Sequence, residues 1–110
     1  DLYAGKMHAL LFRKWKSRVK GRDWFDFEWY VRNGVPLNLH HFEVRARQSG
    51  DWQGDALSHK GLLELLRVRI QSLDVAAARA DVVPFIRDAS VLDIWSRDYF
   101  AVLAEKVVFV

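Results

Sequence analysis

Two helix-length stretches joined by a basic run decide the fold: Leu2-Tyr3-Ala4-Gly5-Lys6-Met7-His8-Ala9-Leu10-Leu11-Phe12-Arg13 and Gly21-Arg22-Asp23-Trp24-Phe25-Asp26-Phe27-Glu28-Trp29-Tyr30-Val31-Arg32. In the first, Ala4, Met7, His8, Leu11 and Phe12 gather on one side at helical spacing, and Trp15 and Val19 extend the stripe. This predicts a helix over 2–19, with Lys6, Arg13 and Lys20 on the opposite side. Gly21 is expected to end it, since glycine takes a positive φ at little cost. The second stretch is apolar around nearly its whole circumference. It predicts a helix over 23–33 that is buried on all sides. Asn33-Gly34 followed by Pro36 is a strong stop.

Working outward, the same punctuation recurs. Asn38 caps a third helix that runs to Gln48 and closes at Gly50, and residues 50–56 read as a loop. Ser58 caps a fourth helix carrying Leu62, Leu63, Leu65, Leu66, Val68 and Ile70 and ending near Ser72. Asp74 opens a shorter one over 75–82, which Pro84 stops. Asp88 opens another short helix through Trp95, and Ser96 caps the last, over 97–109. Val107-Val108-Phe109-Val110 leans towards β structure but continues a helical stripe, so a buried helix end is expected there. The fold class is therefore all-α, a compact bundle of five to seven helices with short connections.

Composition agrees with one folded domain. The 110 residues are 51% hydrophobic and 14% aromatic, too apolar for a disordered chain. The absence of cysteine excludes a disulfide scaffold and any thiolate metal site. No apolar run approaches the ~18–20 residues of a bilayer span, so the expectation is a soluble, cytoplasmic domain without a membrane partner. The chain has no signal peptide and does not begin with Met. Because an amphipathic pattern is already running at its first residues, it reads as a piece of a longer protein.

The net charge of +3 is unevenly placed. Within residues 1–22, Lys6, Arg13, Lys14, Lys16, Arg18, Lys20 and Arg22 stand against Asp1 alone. Such a block attracts nucleotide phosphates, RNA or an acidic partner; its plain alternative is a solvated basic face.

Several reactive signatures are absent. There is no Gly-x-Gly-x-x-Gly, no Walker loop and no His-Glu-x-x-His. His40 and His41 are adjacent and diverge on a helix, which suits no shared metal. His8 lies on the apolar face of the first helix and reads as a hydrogen-bonded core histidine. No Ser-His-Asp arrangement follows from the spacing.

What remains is the segment from Lys6 to Asp26. Asp23 and Asp26 are one helical turn apart, at a helix N-terminus that carries positive dipole charge. Asp23 as N-cap with Asp26 at the third position also resembles a capping box, and Arg22 can pair with either acid. Lys6 is flanked by Leu2, Tyr3 and Leu10, away from the main core stripe. A cation among apolar neighbours costs desolvation unless it meets an anion. A second buried face, where another domain docks and a triphosphate is bound, is therefore expected at Lys6. The competing reading is a surface lysine with a solvated head.

The strings Tyr3-Ala4-Gly5-Lys6-Met7-His8-Ala9-Leu10-Leu11-Phe12-Arg13 and Val19-Lys20-Gly21-Arg22-Asp23-Trp24-Phe25-Asp26-Phe27 resemble the C-terminal half of the AbiEii/AbiGii toxin family of nucleotidyltransferases. Gln48-Ser49-Gly50 and Asp81-Val82-Val83-Pro84-Phe85-Ile86 are similar to the same family's tail. The resemblance implies a bacterial or archaeal toxin of an abortive-infection toxin–antitoxin system. It implies use of a nucleoside triphosphate with Mg²⁺, and in some members nucleotide transfer onto tRNA or other RNA.

By this resemblance Lys6 is nucleotide-binding, with Arg13, Lys20 and Arg22 as further nucleotide-binding residues. Asp23 and Asp26 are the catalytic acids, Asp23 orienting the lysine or helping to deprotonate the attacking hydroxyl. The family's Gly-Ser turn and Asp-x-Asp pair, which hold the metal, are absent from these 110 residues. The expectation is thus a helical C-terminal domain that binds neither Mg²⁺ nor nucleotide unaided and lacks activity without an upstream catalytic half. The alternatives are a non-enzymatic helical module that holds RNA or an antitoxin through its basic first helix, and a structural oligomerisation domain.

Overall fold

A computed structural model of the chain describes residues 1–13 and 20–110; the basic positions Lys14, Lys16 and Arg18 and the core positions Trp15 and Val19 lie outside the described residues. Among the described residues six helices follow one another: α1 (Leu2–Phe12), α2 (Gly21–Arg32), α3 (Leu39–Gln48), α4 (His59–Gln71), α5 (Val75–Val82) and α6 (Arg97–Glu105), with one-turn 3-10 segments at Val83–Phe85 and Ala89–Leu92. This is the all-α bundle that the periodicity predicts. Its radius of gyration of 13.7 Å is close to the ~13 Å typical of a compact domain of this length. Among the described residues, no helix is long and apolar enough to cross a membrane.

The caps are local events and fall where the residue types put them. Asn38, Ser58, Asp74 and Ser96 each accept a backbone N–H from the first turn of their helix, at 2.9–3.0 Å. Asp1 does the same for α1, accepting from Tyr3 and Ala4. At the end of α2, Gly34 adopts φ +65°, and the N–H groups of Gly34 and Val35 close onto the carbonyls of Val31 and Tyr30. That is the glycine-terminated helix end which Asn33-Gly34 announces.

The core is built around Trp24, which is fully buried with its ring 5.0 Å from Phe100 and 6.0 Å from Phe27. Against it pack α5 and α6, while α1 lies between α2 and α3. Two sides of α1 are therefore used. Phe12 meets Phe42 of α3 at 6.1 Å, and Tyr3 stacks on Tyr30 of α2 at 4.2 Å and 6°.

Several expectations are corrected by the structure. First, the described part of helix one ends at Phe12, and Arg13 is extended (φ −62°, ψ 133°). Its terminal carbonyls are taken by Arg69 of α4, which donates to Leu10 O at 3.0 Å and to Arg13 O at 2.7 Å.

Second, Gly21 opens α2 instead of ending α1, and its φ is not positive. A Cβ there would lie 2.0 Å from the carbonyl oxygen of Ala78, so glycine is present because α2 presses onto α5. Asp23 is accordingly not the cap but a first-turn residue, and Asp81 of α5 accepts the Gly21 N–H at 2.8 Å.

Third, α2 is not buried on all sides, since Trp29 is 54% exposed. Fourth, the stretch after Asp88 forms only a 3-10 turn, and the last helix stops at Glu105. Leu37 N–H donates to Val108 O at 2.7 Å and Val110 N–H to Leu37 O at 3.0 Å, so the β-branched tail is extended rather than helical.

Candidate functional site

The crossing of α1 and α2 brings four of the six expected site residues into one ion-pair cluster. Lys6 Nζ lies 3.0 Å from Asp26 Oδ2, with the two side chains 43% and 35% exposed. Arg13 Nη1 approaches Asp23 Oδ2 to 3.3 Å. Lys20 caps the backbone of α2, and its charge acts on Asp23 along with those of Lys6 and Arg13. Arg22, expected to pair with either acid, instead lies with its guanidinium 5.4 Å from the centre of the Phe85 ring.

The two acids differ in environment. Asp26 is the carboxylate that meets the lysine, a role the sequence reading gave to Asp23. Asp23 is 8% exposed, and its Oδ2 receives no hydrogen bond, because Arg13 meets it at ion-pair distance without donor geometry. Burial raises its pKa, with a further rise from Asp26; Arg13, Lys6 and Lys20 pull the other way and do not prevail. The adjoining seam, lined by Tyr3, Lys6, Asp23 and Phe27 among others, is too tight to admit water. The Tyr3 hydroxyl is also buried there without a partner, and burial followed by Tyr30 pushes its pKa up.

The apolar flank of Lys6 is covered from within the chain. Tyr3 and Leu10 are 3% and 1% exposed, buried by packing inside this domain, and only Leu2 stays open at 71%. The second face inferred for a docking domain is thus used up by α1's own neighbours. Lys6 is a cation at the edge of that contact, with its head in reach of solvent.

Two polar clusters escaped the sequence reading. Glu28, 6% exposed, accepts from the Trp95 indole N–H at 3.2 Å and from the Tyr99 hydroxyl, and burial, followed by this bond, pushes the Tyr99 pKa up to about 12. Its signal was weak: one carboxylate on an aromatic helix, whose partners lie 67 and 71 residues away. In the second cluster, His8 Nε2 meets Asp51 Oδ2 at 2.9 Å and Ser49 Oγ at 3.0 Å, while Ser49 Oγ meets Asp51 Oδ2 at 2.6 Å. His8 is therefore hydrogen-bonded as expected, but it is half-buried at the surface and not in the core. One ring nitrogen faces both oxygens, so the three do not form the serine–imidazole–carboxylate relay that activates a nucleophile.

Among the described residues no three His, Asp or Glu side chains converge on a point that suits a metal ion. The groove of about 450 Å³ between α4 and α6 is lined by charges of both signs, including Lys60, Glu64 and Arg97, and contains none of the six expected residues.

The family model described as nucleotidyl transferase AbiEii toxin, Type IV TA system, matches residues 1–107, nearly the whole chain. None of the curated proteins compared with the chain matches it. None of the solved structures does either.

Proposed function

Because this chain belongs to the nucleotidyl transferase AbiEii toxin family of type IV toxin–antitoxin systems, we propose that it forms the helical C-terminal domain of a nucleotidyltransferase and binds the phosphates of a nucleoside triphosphate at the α1–α2 crossing. The observation that carries this reading is the half-exposed Lys6–Asp26 pair beside the Arg13–Asp23 pair. An exposed ion pair contributes little to stability, about 0–1 kcal/mol. Its use lies elsewhere: Asp26 keeps the ammonium aimed while no nucleotide is present, and a triphosphate, with more charge, displaces it.

Each residue then has a part. Lys6 stabilises negative charge on phosphate oxygens. Asp23, buried, is a positioning residue that holds Arg13 at the same end of the crossing. Lys20 and Arg22 add positive potential around the α2 N-terminus. The carboxylates do not fit a divalent cation, because Asp26 already neutralises Lys6 and Asp23 is enclosed beside Arg13. The Mg²⁺ ligands are accordingly assigned to a Gly-Ser turn and an Asp-x-Asp pair outside these 110 residues, and no step is derived through the metal. The acceptor in this reading is RNA, the neutralising partner is an antitoxin protein, and the setting is the cytoplasm.

The competing reading is a basic helix that holds RNA by its backbone without catalysis. A series of single substitutions separates them by nucleotide affinity. Lys6→Ala is expected to weaken triphosphate binding about tenfold or more, while Lys14→Ala and Lys16→Ala change it less than about twofold. Equal losses at all three positions mean diffuse electrostatic binding and defeat the pocket reading.

A further inference from the structure

One turn beyond Asp26, α2 presents an indole to solvent. Trp24 and Trp95 are buried and Trp52 is half-buried, so Trp29, at 54%, is the one exposed tryptophan among the described residues. A single exposed apolar side chain is ordinary on a protein surface; Trp29 is set apart by what it lines. Its ring is held in place: it meets Tyr30 edge-on at 5.4 Å and 87°, and Tyr30 in turn stacks on Tyr3.

Trp29 also walls a groove of about 420 Å³, within the range of small-ligand sites. Phe25 and Val91 give the groove an apolar lining, and Arg32, Asn33 and the edge of Glu28 give it a polar rim. The Asn33 side-chain N–H₂ donates to Trp29 O at 2.8 Å, which ties this rim residue to the backbone of the tryptophan. Asp26 and Trp29 are three residues apart on one helix, hence on one face and about 4.5 Å apart along the axis. A flat apolar wall with hydrogen-bonding groups at its edge, one helical turn along α2 from the carboxylate that pairs with Lys6, matches the chemistry of a nucleobase: a π-face to stack and an edge to read.

We propose that Trp29 is the stacking platform for a nucleobase whose phosphate is bound by Lys6, with the Phe25–Val91 groove receiving the base. The proposal rests on the preceding reading of Lys6. The base comes either from the incoming nucleoside triphosphate or from a single-stranded RNA acceptor, and the two sources are separable.

The experiment uses the full-length protein, in which this domain is joined to the metal-binding half assigned above, with Mg²⁺ present, as wild type, Trp29→Ala, Trp29→Phe and Lys6→Ala. Each is titrated by calorimetry with ATP, CTP, GTP and UTP, with a 12-nucleotide single-stranded RNA, and with inorganic triphosphate, which has no base. Tryptophan emission is followed in parallel. Trp29→Ala is expected to weaken binding of one base-bearing ligand by roughly 5- to 150-fold. Trp29→Phe stays within a few-fold of wild type, because a phenyl ring still stacks. Inorganic triphosphate binds wild type and Trp29→Ala equally, which a merely structural role for Trp29 would not give. A loss confined to the nucleotides assigns the platform to the incoming base, and a loss confined to the RNA assigns it to the acceptor.

The proposal is overturned if Trp29→Ala binds every base-bearing ligand as wild type does, if it loses inorganic triphosphate to the same degree, or if wild type binds no base-bearing ligand. Should Lys6→Ala weaken binding while Trp29→Ala does not, the platform fails and the phosphate site stands. The reverse pattern retains the platform and removes the lysine's role.

Discussion

Asp23 is a carboxylate kept where its charge is poorly solvated. Burial dominates the attraction of Arg13, so folding favours the protonated form and the pKa is raised. The sign of the linkage follows. A group with a raised folded pKa adds stability below its unfolded pKa, and that stability is lost as pH climbs through the folded value. At neutral pH Asp23 is therefore a net cost to the fold, of the kind tolerated at working sites. Asp23→Asn, which keeps the shape and removes the charge, is expected to raise Tm at pH 7 by a few degrees or less. The gain shrinks as pH falls through the raised folded value and is gone below the ordinary carboxylate range, where Asp23 is protonated folded or unfolded. Thermal melts of both proteins from pH 4 to 8 check this, and a lower Tm for the variant at pH 7 would show that the Arg13 pair outweighs burial. Neither the burial nor the pairing is readable from Asp23 alone, which by residue type is an ordinary helix cap.

At the scale of elements, what the sequence shows is what the chain decides locally. Side-chain caps at Asn38, Ser58, Asp74 and Ser96, and the glycine stop after Asn33, each need only a few neighbouring residues. What it hides is decided across the fold. Arg69 closes α1 from 56 and 59 residues away, Leu37 recruits the Val107–Val110 tail, and Gly21 answers a backbone carbonyl in another helix. The last case gives a prediction about α2 as a unit. Gly21→Ala would be mild if glycine served a turn, but here the new Cβ meets a main-chain oxygen that cannot rotate away. The variant is expected to lose about 3 kcal/mol, because α2 must shift off α5 and carries Asp23 and Asp26 with it. Denaturant unfolding measures the loss. A loss below about 1 kcal/mol, or the gain of about 1 kcal/mol that replacing a helix-interior glycine by alanine ordinarily brings, would contradict the close approach.

For the molecule as a whole, helix packing turns one short string of the sequence into a place. Lys6 and Asp26 are 20 residues apart in the chain, and only the crossing of α1 and α2 sets them 3.0 Å apart. The residue types at this site were legible beforehand, and so was the proximity of the two helices. The identity of the pairs was not, because it depends on the rotation of α2 about its axis, which the tight contact at Gly21 fixes. The most direct measurement is calorimetric titration of a nucleoside triphosphate, with Mg²⁺, into the full-length protein as wild type, Lys6→Ala and Asp26→Asn. If the ammonium is held by Asp26 only until phosphate arrives, the two variants move in opposite directions. Lys6→Ala loses about ten- to a hundredfold in affinity, as expected for a hydrogen bond to a charged group, and Asp26→Asn binds more tightly because the competing anion is gone. An affinity unchanged by Lys6→Ala, or weakened alike by both substitutions, would contradict a phosphate site at the α1–α2 crossing.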